Sequence, residues 1–360
     1  MDGTSCQELA SFLYYAKPVK VYTKKFHSGD LSQYSFAITG GAGFIGSHLL
    51  EYLISHNAGR IVVFDDLSSG SLENLKQAQK YKGFEFIKGT ICDINACEKA
   101  FKGIDFVMHE AALCSVPRSL ANPLATNEVN VSGFLTMLLA AKNAGVKRLV
   151  YASSSSVYGD SKKLPKSESD PVSPLSPYAV SKYTNELYAS VFHRNYGMNI
   201  VGLRYFNIFG PRQSPGGPYA AAIPLFASAL LENRSPVIFG DGNQTRDFTF
   251  VENVVQANIK ALFSPAEANG QVFNIACGER TSINQLFTML AESAGTETKP
   301  EHKPYRVGDV KDSIADISKA KTLLNYIPEI NFSKGIQTTW NWFKENYNSP
   351  SANGILRSVS

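Results

Sequence analysis

Short apolar runs alternate with helical stretches over the first half of the chain. Six runs have the length and apolar character of buried strands, at 36–39, 60–64, 84–88, 106–109, 148–152 and 200–204. Between them, apolar residues recur at three-to-four spacing, most clearly at 44–54, 129–143 and 179–192. Strand-like runs that alternate with amphipathic helices are typical of a parallel sheet covered on both faces. The pattern predicts a doubly wound α/β fold.

The alternation loosens after Arg204. A loop rich in proline and glycine at 211–218 is followed by a helical stretch at 223–231 and by shorter strands near Val237 and Val272. We expect a smaller C-terminal α/β lobe that binds the substrate and interlocks with the first domain. The expected division is an arm at 1–33, a sheet domain at 34–205, the lobe mainly at 206–347 and a flexible tail at 348–360.

Composition and charge exclude several classes of protein. Of 360 residues, 44% are hydrophobic and 18% charged, and no apolar run approaches the ~20 residues of a membrane helix. A signal peptide is not recognisable, so we expect a cytoplasmic protein without membrane association. The net charge of +4 lacks a basic run that would favour nucleic acid. Five scattered cysteines without a CxxC pair predict free thiols and no metal site.

The first predicted strand leads into a glycine-rich turn. It continues as Gly40-Gly-Ala-Gly43-Phe-Ile-Gly46 and then into a helical stretch. A turn that binds phosphate needs glycines, because its backbone bends sharply, approaches the pyrophosphate and packs a helix against a strand. Gly40, Gly43 and Gly46 fit these positions. Gly41 also begins a GxGxxG spacing, so the first position stays open between Gly40 and Gly41.

A carboxylate follows the second predicted strand. Asp65 lies about twenty residues beyond the last glycine of the turn, and Asp66 is next to it. A carboxylate here accepts hydrogen bonds from ribose hydroxyls and repels a 2′-phosphate, which favours NAD over NADP. Strand, turn, helix and carboxylate together predict a Rossmann-like dinucleotide site. The pattern favours Asp65 without deciding between the two carboxylates.

A tyrosine and a lysine four residues apart follow the fifth predicted strand. On a helix, Tyr178 and Lys182 share one face, so the ammonium can stabilise a phenolate. This converts a phenol of pKa ~10 into a base that works near neutral pH. The spacing is common on solvated helix surfaces. The glycine turn upstream and the serines at 153–156 make the catalytic interpretation the better one.

Taken together, these motifs resemble the extended short-chain dehydrogenase/reductases, and among them the UDP-sugar 4-epimerases. The resemblance covers roughly 35–342 and rests on TGGAGFIGSHLLE, HEAALCSVPRS, ASSSSVYGD, SPYAVSKYTNE, GLRYFNIFGPRQ, GDGNQTRDFTFVEN and YRVGDVKDS. It implies an NAD-dependent isomerase that acts as a homodimer on a UDP-sugar through a transient 4-keto intermediate.

The resemblance also implies the roles of individual residues. Tyr178 is the base, Lys182 orients the ribose of the cofactor and lowers the tyrosine pKa, and Ser154 hydrogen-bonds the sugar O4. Ser155 and Ser156 compete with Ser154, and Ser156 is expected to be a second hydroxyl contact. The cofactor contacts implied in addition to the glycines, Asp65 and Lys182 are Phe44, Ile45 and Ile91.

One position departs from the family pattern. After the third strand the family has Gly-Asp-Ile/Val, whereas this chain has Gly89-Thr90-Ile91. An aspartate that would hydrogen-bond the adenine amine is missing, so we expect a rearranged adenine contact, with Asp93 as a candidate replacement.

Further motif positions imply how the nucleotide sugar is bound. Arg246 and Arg306 match the family's diphosphate contacts, and arginine suits them because its planar donors bind phosphate at two points. Asn207 resembles a nucleotide-binding asparagine, and Asp309 resembles the contact to the uridine ribose.

The choice of hexose depends on the space beside the sugar. Ser313 matches a position where a bulky tyrosine restricts galactose enzymes of the family to unsubstituted hexoses. Ser115 lies in a run similar to the acetamido-specific subgroup, although Cys114 replaces the usual glycine. These two serines favour UDP-GlcNAc and UDP-GalNAc.

Several alternatives stay open from the sequence. UDP-glucose/UDP-galactose is the main alternative substrate pair, and UDP-glucuronate is less favoured. A sugar-nucleotide 4,6-dehydratase would need a carboxylate pair after the catalytic hydroxyl, where this chain has Ser155 and Ser156. A non-catalytic NAD-binding protein would retain the fold, but such proteins typically lose the tyrosine or the lysine.

Overall fold

The predicted parallel sheet forms the centre of the molecule. The computed structural model describes residues 22–215, 220–305 and 311–346. In chain order, the strands are β1 Ser35–Thr39, β2 Arg60–Asp65, β3 Phe84–Lys88, β4 Phe106–His109, β5 Arg148–Ser154, β6 Ile200–Tyr205, β7 Ile208–Phe209, β8 Val237–Phe239, β9 Thr245–Arg246, β10 Thr249–Phe250, β11 Gln271–Ile275, β12 Thr281–Ser282 and β13 Glu301–Lys303. The main sheet contains seven of them, all parallel, in the order β11-β6-β5-β4-β1-β2-β3.

Helices cover both faces of this sheet. They are α1 Phe44–Ser55, α2 Ile94–Phe101, α3 Val116–Ala121, α4 Pro123–Asn127, α5 Phe134–Asn143, α6 Pro177–Tyr196, α7 Ala222–Leu231, α8 Val251–Leu262, α9 Ile283–Ala294, α10 Ser318–Leu324 and α11 Phe332–Asn346. The helix predicted at 129–143 is divided, because a π-helix at Glu128–Gly133 precedes α5. None of the described helices has both the length and the apolar character needed to cross a membrane.

Successive strand residues face different cores, which confirms the doubly wound fold. Phe36 and Ile38 of β1 belong to a core shared with α1 and α8, whereas Ala37 belongs to a core shared with α2, α5 and α6. Both faces are buried because side chains alternate along a strand. The strand order reverses between β1 and β4. Such a reversal opens a crevice at the carboxyl ends of the strands, where ligands bind in folds of this kind.

A third apolar core builds the smaller C-terminal lobe. It joins α7, α9 and α11, with Phe226, Leu286 and Trp340 among its buried members. The strand predicted near Val272 does not belong to this lobe. It is β11, which pairs with β6 in the main sheet, with Val272 opposite Gly202. Burying the apolar residues of β11 also covers an otherwise open edge of β6, and this explains its position.

The N-terminal arm packs on the core over its described residues. Tyr22, Phe26 and Leu31 are buried against α1 and its neighbours. The Tyr22 hydroxyl lies 2.9 Å from Nδ1 of His48, and the amide of Phe26 donates to the Tyr52 hydroxyl at 2.7 Å. The part of the expected arm at 22–33 thus lies against the core, on the side of α1. Residues 1–21 and the predicted tail lie outside the described residues.

Candidate active site

The glycine turn leaves no room for side chains at two positions. Gly40 has a φ of +69°, and a Cβ there would lie 2.7 Å from the amide nitrogen of Ala111. A Cβ on Gly46 would lie 2.3 Å from the carbonyl oxygen of Gly40. The positive φ assigns the sharp turn to Gly40 rather than Gly41, and resolves the choice that the sequence left open. Strand, turn and helix thus approach one another as closely as a dinucleotide site requires.

The turn ends at the N-terminus of a twelve-residue helix. Helix α1 begins at Phe44, and its N-cap residue, Gly43, provides no side-chain acceptor. No side chain therefore caps the amides of the first turn, which include those of Phe44 and Ile45. Free amides and the positive end of the helix dipole favour an anion such as pyrophosphate.

Asp65 lies beside this turn at the end of β2. Its carboxylate accepts hydrogen bonds from the amides of Ala42, at 2.9 Å, and Leu67, at 2.8 Å. Burial raises the pKa of Asp65. Asp66 is exposed and accepts from the amide of Ser68 at 2.8 Å, so it caps a turn. The geometry therefore favours Asp65 as the carboxylate of the dinucleotide site.

The segment after β3 contains Thr90 at the position where the family has an aspartate. The Thr90 hydroxyl accepts from the amide of Cys92 at 3.3 Å, and Ile91 is buried. Asp93 caps α2 by accepting from two amides of that helix. Asp93 is exposed and only its Oδ1 accepts these bonds, so its role as a replacement stays a prediction.

Tyr178 and Lys182 lie one turn apart near the start of α6. The helix begins at Pro177, and Ser176 caps it by accepting from the amide of Ala179 at 3.1 Å. The Lys182 ammonium donates to the carbonyl of Ala152 in β5 at 2.8 Å and lies 6.0 Å from the centroid of the Tyr178 ring. Lys182 is almost completely buried. The structure thus brings the predicted pair together at the carboxyl end of β5.

Burial has the largest effect on the pKa values of both Tyr178 and Lys182. Burial raises the pKa of Tyr178, Cys114 raises it further, and a hydrogen-bonding interaction with Ser154 lowers it. Burial also lowers the pKa of Lys182. Desolvation of the phenol is the largest of these effects, so the pKa of Tyr178 lies above its ordinary value in this arrangement, and the expected lowering by Lys182 stays a prediction.

The four serines at the end of β5 lie in different environments. Ser153 points away from the crevice and donates to Oε1 of Glu186 at 2.6 Å. Ser154 ends β5 and is the serine that interacts with the Tyr178 hydroxyl. The hydroxyl of Ser156 is buried and has no hydrogen-bond partner among the described residues. These placements favour Ser154 over Ser155 and leave Ser156 with an unused donor.

The predicted residues of the smaller lobe partly come together. Arg246 lies on β9, and the amide of Ser313 donates to the carbonyl of Thr245, its neighbour on that strand, at 3.1 Å. The Asn207 side chain donates to the carbonyl of Asp247 at 3.2 Å. The structure therefore places Arg246, Ser313 and Asn207 around one short strand. Arg306 and Asp309 lie outside the described residues.

Ser115 occupies an unusual backbone conformation. Its φ is +126°, and its hydroxyl caps α3 by accepting from the amide of Arg118 at 3.3 Å. Non-glycine residues in such conformations cluster at binding and catalytic sites, where the surrounding structure holds the strain. The preceding residue, Cys114, is exposed and interacts with Tyr178, so this loop borders the catalytic pair.

The match to a family model is consistent with these placements. The model of the NAD dependent epimerase/dehydratase family matches residues 36–276, which span the glycine turn, the tyrosine and lysine, and β11. The chain belongs to this family. NAD is the cofactor that the family name specifies.

Individual relatives in the family cover nearly the same span. The chain is 39% identical over 311 residues to a putative UDP-glucose 4-epimerase of Methanocaldococcus jannaschii, covering 86% of this chain and 98% of the relative. A UDP-N-acetylglucosamine 4-epimerase from Methanobrevibacter ruminantium, solved with UDP-N-acetylmuramic acid, has 41% identity and a TM-score of 0.83, with coverage of 87% and 99%. A Thermus thermophilus UDP-glucose 4-epimerase solved with NAD has 34% identity and a TM-score of 0.77, with coverage of 86% and 99%.

One buried carboxylate of this epimerase/dehydratase family member, Asp247, was not predicted from the sequence. Asp247 is fully buried and accepts from the amides of Cys277 at 2.9 Å, Gly278 at 3.1 Å and Ala315 at 3.1 Å. It thereby joins three loops of the smaller lobe beside Arg246. The sequence does show that Asp247 directly follows Arg246. It does not show the role of Asp247, because the amides that bond to its carboxylate are about 30 and 68 residues away.

Proposed function

We propose that the protein is an NAD-dependent epimerase that inverts C4 of a UDP-sugar, with UDP-GlcNAc and UDP-GalNAc as the favoured pair. The observation that carries the proposal is the placement of Tyr178, Lys182 and Ser154 at the carboxyl end of β5, in the same crevice as the glycine turn. A base, a cation and a hydroxyl beside a dinucleotide turn can handle the proton while NAD at that turn would accept and return the hydride of one secondary alcohol.

The cradle around the turn fits NAD. Gly40, Gly43 and Gly46 give the pyrophosphate access to the backbone, the first amides of α1 bind it, and Asp65 accepts from ribose. Ile91, buried after β3, is proposed to line the adenine side. Bound NAD supplies the hydride acceptor that also returns the hydride to the other face of C4.

The residues of the chain handle the proton. The phenol oxygen of Tyr178 removes the proton from the 4-hydroxyl as the 4-keto sugar forms, and returns it to O4 when the ketone is reduced again. Ser154 holds O4 by a hydrogen bond, and Ser156 has a buried hydroxyl available for a second one. Lys182 binds the ribose and provides positive charge beneath the phenol. No net oxidation occurs, because the sugar leaves at its original oxidation level.

The smaller lobe is proposed to hold the nucleotide. Arg246 provides a planar fork for the diphosphate, and Asn207 lies next to it through its bond to Asp247. Arg306 and Asp309 are proposed, from the sequence, as the second diphosphate contact and the ribose contact. The proposed division into a cofactor domain at 34–205 and this lobe at 206–347 follows these roles, although β11 crosses back into the sheet.

Two serines support the acetamido substrate. Ser313 is small and lies beside β9, and the hydroxyl of Ser115 can donate to an acetamide while it caps α3. The relative solved with UDP-N-acetylmuramic acid acts on UDP-N-acetylglucosamine, as its name states. UDP-glucose and UDP-galactose form the second candidate pair, because the relatives from M. jannaschii and T. thermophilus carry the name UDP-glucose 4-epimerase.

We also propose that the protein acts as a cytoplasmic homodimer. Val180, Leu187 and Val191 form one exposed apolar stripe along α6, since they lie seven and four residues apart. Leu120 and Leu124, on the neighbouring α3 and α4, are exposed by 63% and 82%. An apolar helix face of this size favours pairing with a second copy, because its exposure to water is unfavourable.

Product analysis with a panel of UDP-sugars tests the function. The purified protein with NAD is incubated separately with UDP-GlcNAc, UDP-GalNAc, UDP-glucose, UDP-galactose and UDP-glucuronate, and the products are separated by chromatography. We expect interconversion of the two N-acetyl sugars at least as efficiently as of the two plain hexoses. A product with an unsaturated or 6-deoxy sugar would instead identify a dehydratase, and tightly bound NAD without turnover would indicate a non-catalytic protein.

A further inference from the structure

A carboxyl group that the proposed reaction does not use lies beside the catalytic pair. Glu110 directly follows β4, and its amide donates to the carbonyl of Thr39 at 3.1 Å. On the adjacent strand β5, Tyr151 is opposite His109, so Ala152 lies at the level of Glu110. Ala152 is the residue whose carbonyl accepts from Lys182. The carboxyl group and the ammonium therefore lie at the same level of the sheet.

A chain of hydrogen bonds fixes this carboxyl group. The Tyr205 hydroxyl, at the end of β6, donates to Oε1 of Glu110 at 2.8 Å. The same hydroxyl accepts from the side-chain amide of Asn258 in α8 at 2.8 Å. Asn258 is fully buried, and its amide also donates to the carbonyl of Val254 at 3.0 Å. Glu110 is therefore held from β6 and α8.

Glu110 interacts electrostatically with both members of the catalytic pair. Burial lowers the pKa of Lys182, while the charges of Cys114 and Glu110 raise it. The charge of Glu110 also raises the pKa of Tyr178. Burial raises the pKa of Glu110 itself to about 7, although the hydrogen bond from Tyr205 and the charge of Lys182 both lower it. Its charge thus changes within the range in which the site is proposed to work.

The groups that interact with Glu110, or with its partners Lys182 and Tyr205, come from four elements. Helix α6 contributes Lys182 and Tyr178, and β6 contributes Tyr205. The neutral amide of Asn258 comes from α8, and β5 contributes the backbone carbonyl of Ala152. Lys182 is the one cation among these groups. An ionised Glu110 therefore acts mainly on the charge of Lys182.

We propose that Glu110 is a positioning residue for the catalytic pair, whose carboxylate keeps the buried Lys182 in its ammonium form at alkaline pH. The inference rests on the proposed function, in which Lys182 provides positive charge beneath Tyr178. A buried ammonium needs a counter-charge, because burial alone favours its neutral form. Glu110 supplies this charge only when it is ionised, so its effect grows as the pH rises through about 7.

The test is the pH dependence of kcat for the full chain with NAD. In Glu110→Gln we expect the alkaline limb, where Lys182 loses its proton, to move to lower pH by about one unit, the shift that 1.4 kcal/mol produces. Glu110→Asp should retain the wild-type alkaline limb. Glu110→Leu is a second neutral variant, expected to show the same shift as Glu110→Gln.

A measurement without turnover accompanies the kinetics. Because the folded-state pKa of Glu110 is raised, its contribution to stability is present below the unfolded pKa of about 4.5 and is lost as the pH rises through about 7. The Tm of Glu110→Gln should therefore rise relative to that of the wild type as the pH increases from 5 to 8. Repeating both measurements in Cys114→Ser excludes the neighbouring thiol as the titrating group.

The outcomes separate this inference from the proposed function. An alkaline limb that stays in place in both neutral variants, or a Tm difference that does not change with pH, would overturn the role of Glu110. Absence of turnover with every UDP-sugar in the wild type would overturn the function instead, while the Tm series would still report on Glu110.

Discussion

Arg204 and Glu186 form a buried ion pair with two parallel contacts beneath α6. Nε of Arg204 donates to Oε1 of Glu186 at 2.9 Å, and Nη2 donates to Oε2 at 2.7 Å. The two side chains are only 4% and 6% exposed. Glu186 follows Lys182 by one helical turn, so the pair fixes the catalytic part of α6 against β6.

Glu186→Gln tests the importance of this pair. The variant leaves the Arg204 guanidinium buried without its counter-charge, so we expect a loss of about 3–5 kcal/mol in the free energy of unfolding. Urea unfolding followed by circular dichroism measures it. The matched control is Glu232→Gln, whose partner Arg234 is 62% exposed, and it should cost less than about 1 kcal/mol. Equal losses in the two variants would contradict a special role for the buried pair.

Tyr178→Phe tests the proposed base. The variant removes one hydroxyl from a helix that is capped independently by Ser176, so fold and NAD binding should persist. We expect kcat to fall at least ~100-fold, the lower end for general acid-base catalysis. Epimerisation rates and NAD binding by calorimetry are measured on the same preparation. Near-normal turnover would show that another group removes the proton.

Ser313→Tyr tests the choice of hexose. If the acetamide occupies the space beside Ser313, the larger side chain should reduce kcat/KM for UDP-GlcNAc several-fold to hundreds-fold, about 1–3 kcal/mol. UDP-glucose carries only a 2-hydroxyl and should be largely spared. Both pairs are assayed with wild type and variant. Equal slowing of the two pairs would mean that Ser313 does not border C2.

Glutamate substitutions test whether the apolar stripe on α6 forms the proposed dimer contact. Val180→Glu and Leu187→Glu together place two carboxylates in the proposed contact between copies, so we expect light scattering after size exclusion to report a monomer. Ile327→Glu is the control, since Ile327 is equally apolar and 63% exposed but lies outside the stripe. A dimer that persists in the double variant would place the interface elsewhere.

The chemistry that was readable from the sequence is local. The glycine turn and the pair Tyr178 and Lys182 each depend on residues within one or two helical turns, so they were predictable from local motifs. The bond between Tyr205 and Glu110 joins residues 95 positions apart. Tyr205 and Glu110 meet because β4 and β6 flank β5 in the sheet. The periodicity of the sequence does not indicate this strand order.

The same limit applies to electrostatics. The four-residue spacing correctly brought an ammonium close to a phenol, but it carried no information on how deeply both groups are enclosed. Burial raises the pKa of Tyr178, where proximity alone predicted a lower value. Desolvation depends on everything packed around a site, including loops such as the one at Cys114, and therefore follows from the fold.

The position of β11 has a consequence for how the chain becomes a folded protein. This strand completes the sheet beside β6, yet it is made only after α7 and α8. Until Ile275 has left the ribosome, β6 presents an open strand edge, the kind of surface through which nascent chains associate. A chain that ended after residue 205 would therefore leave the edge of β6 unpaired in the main sheet.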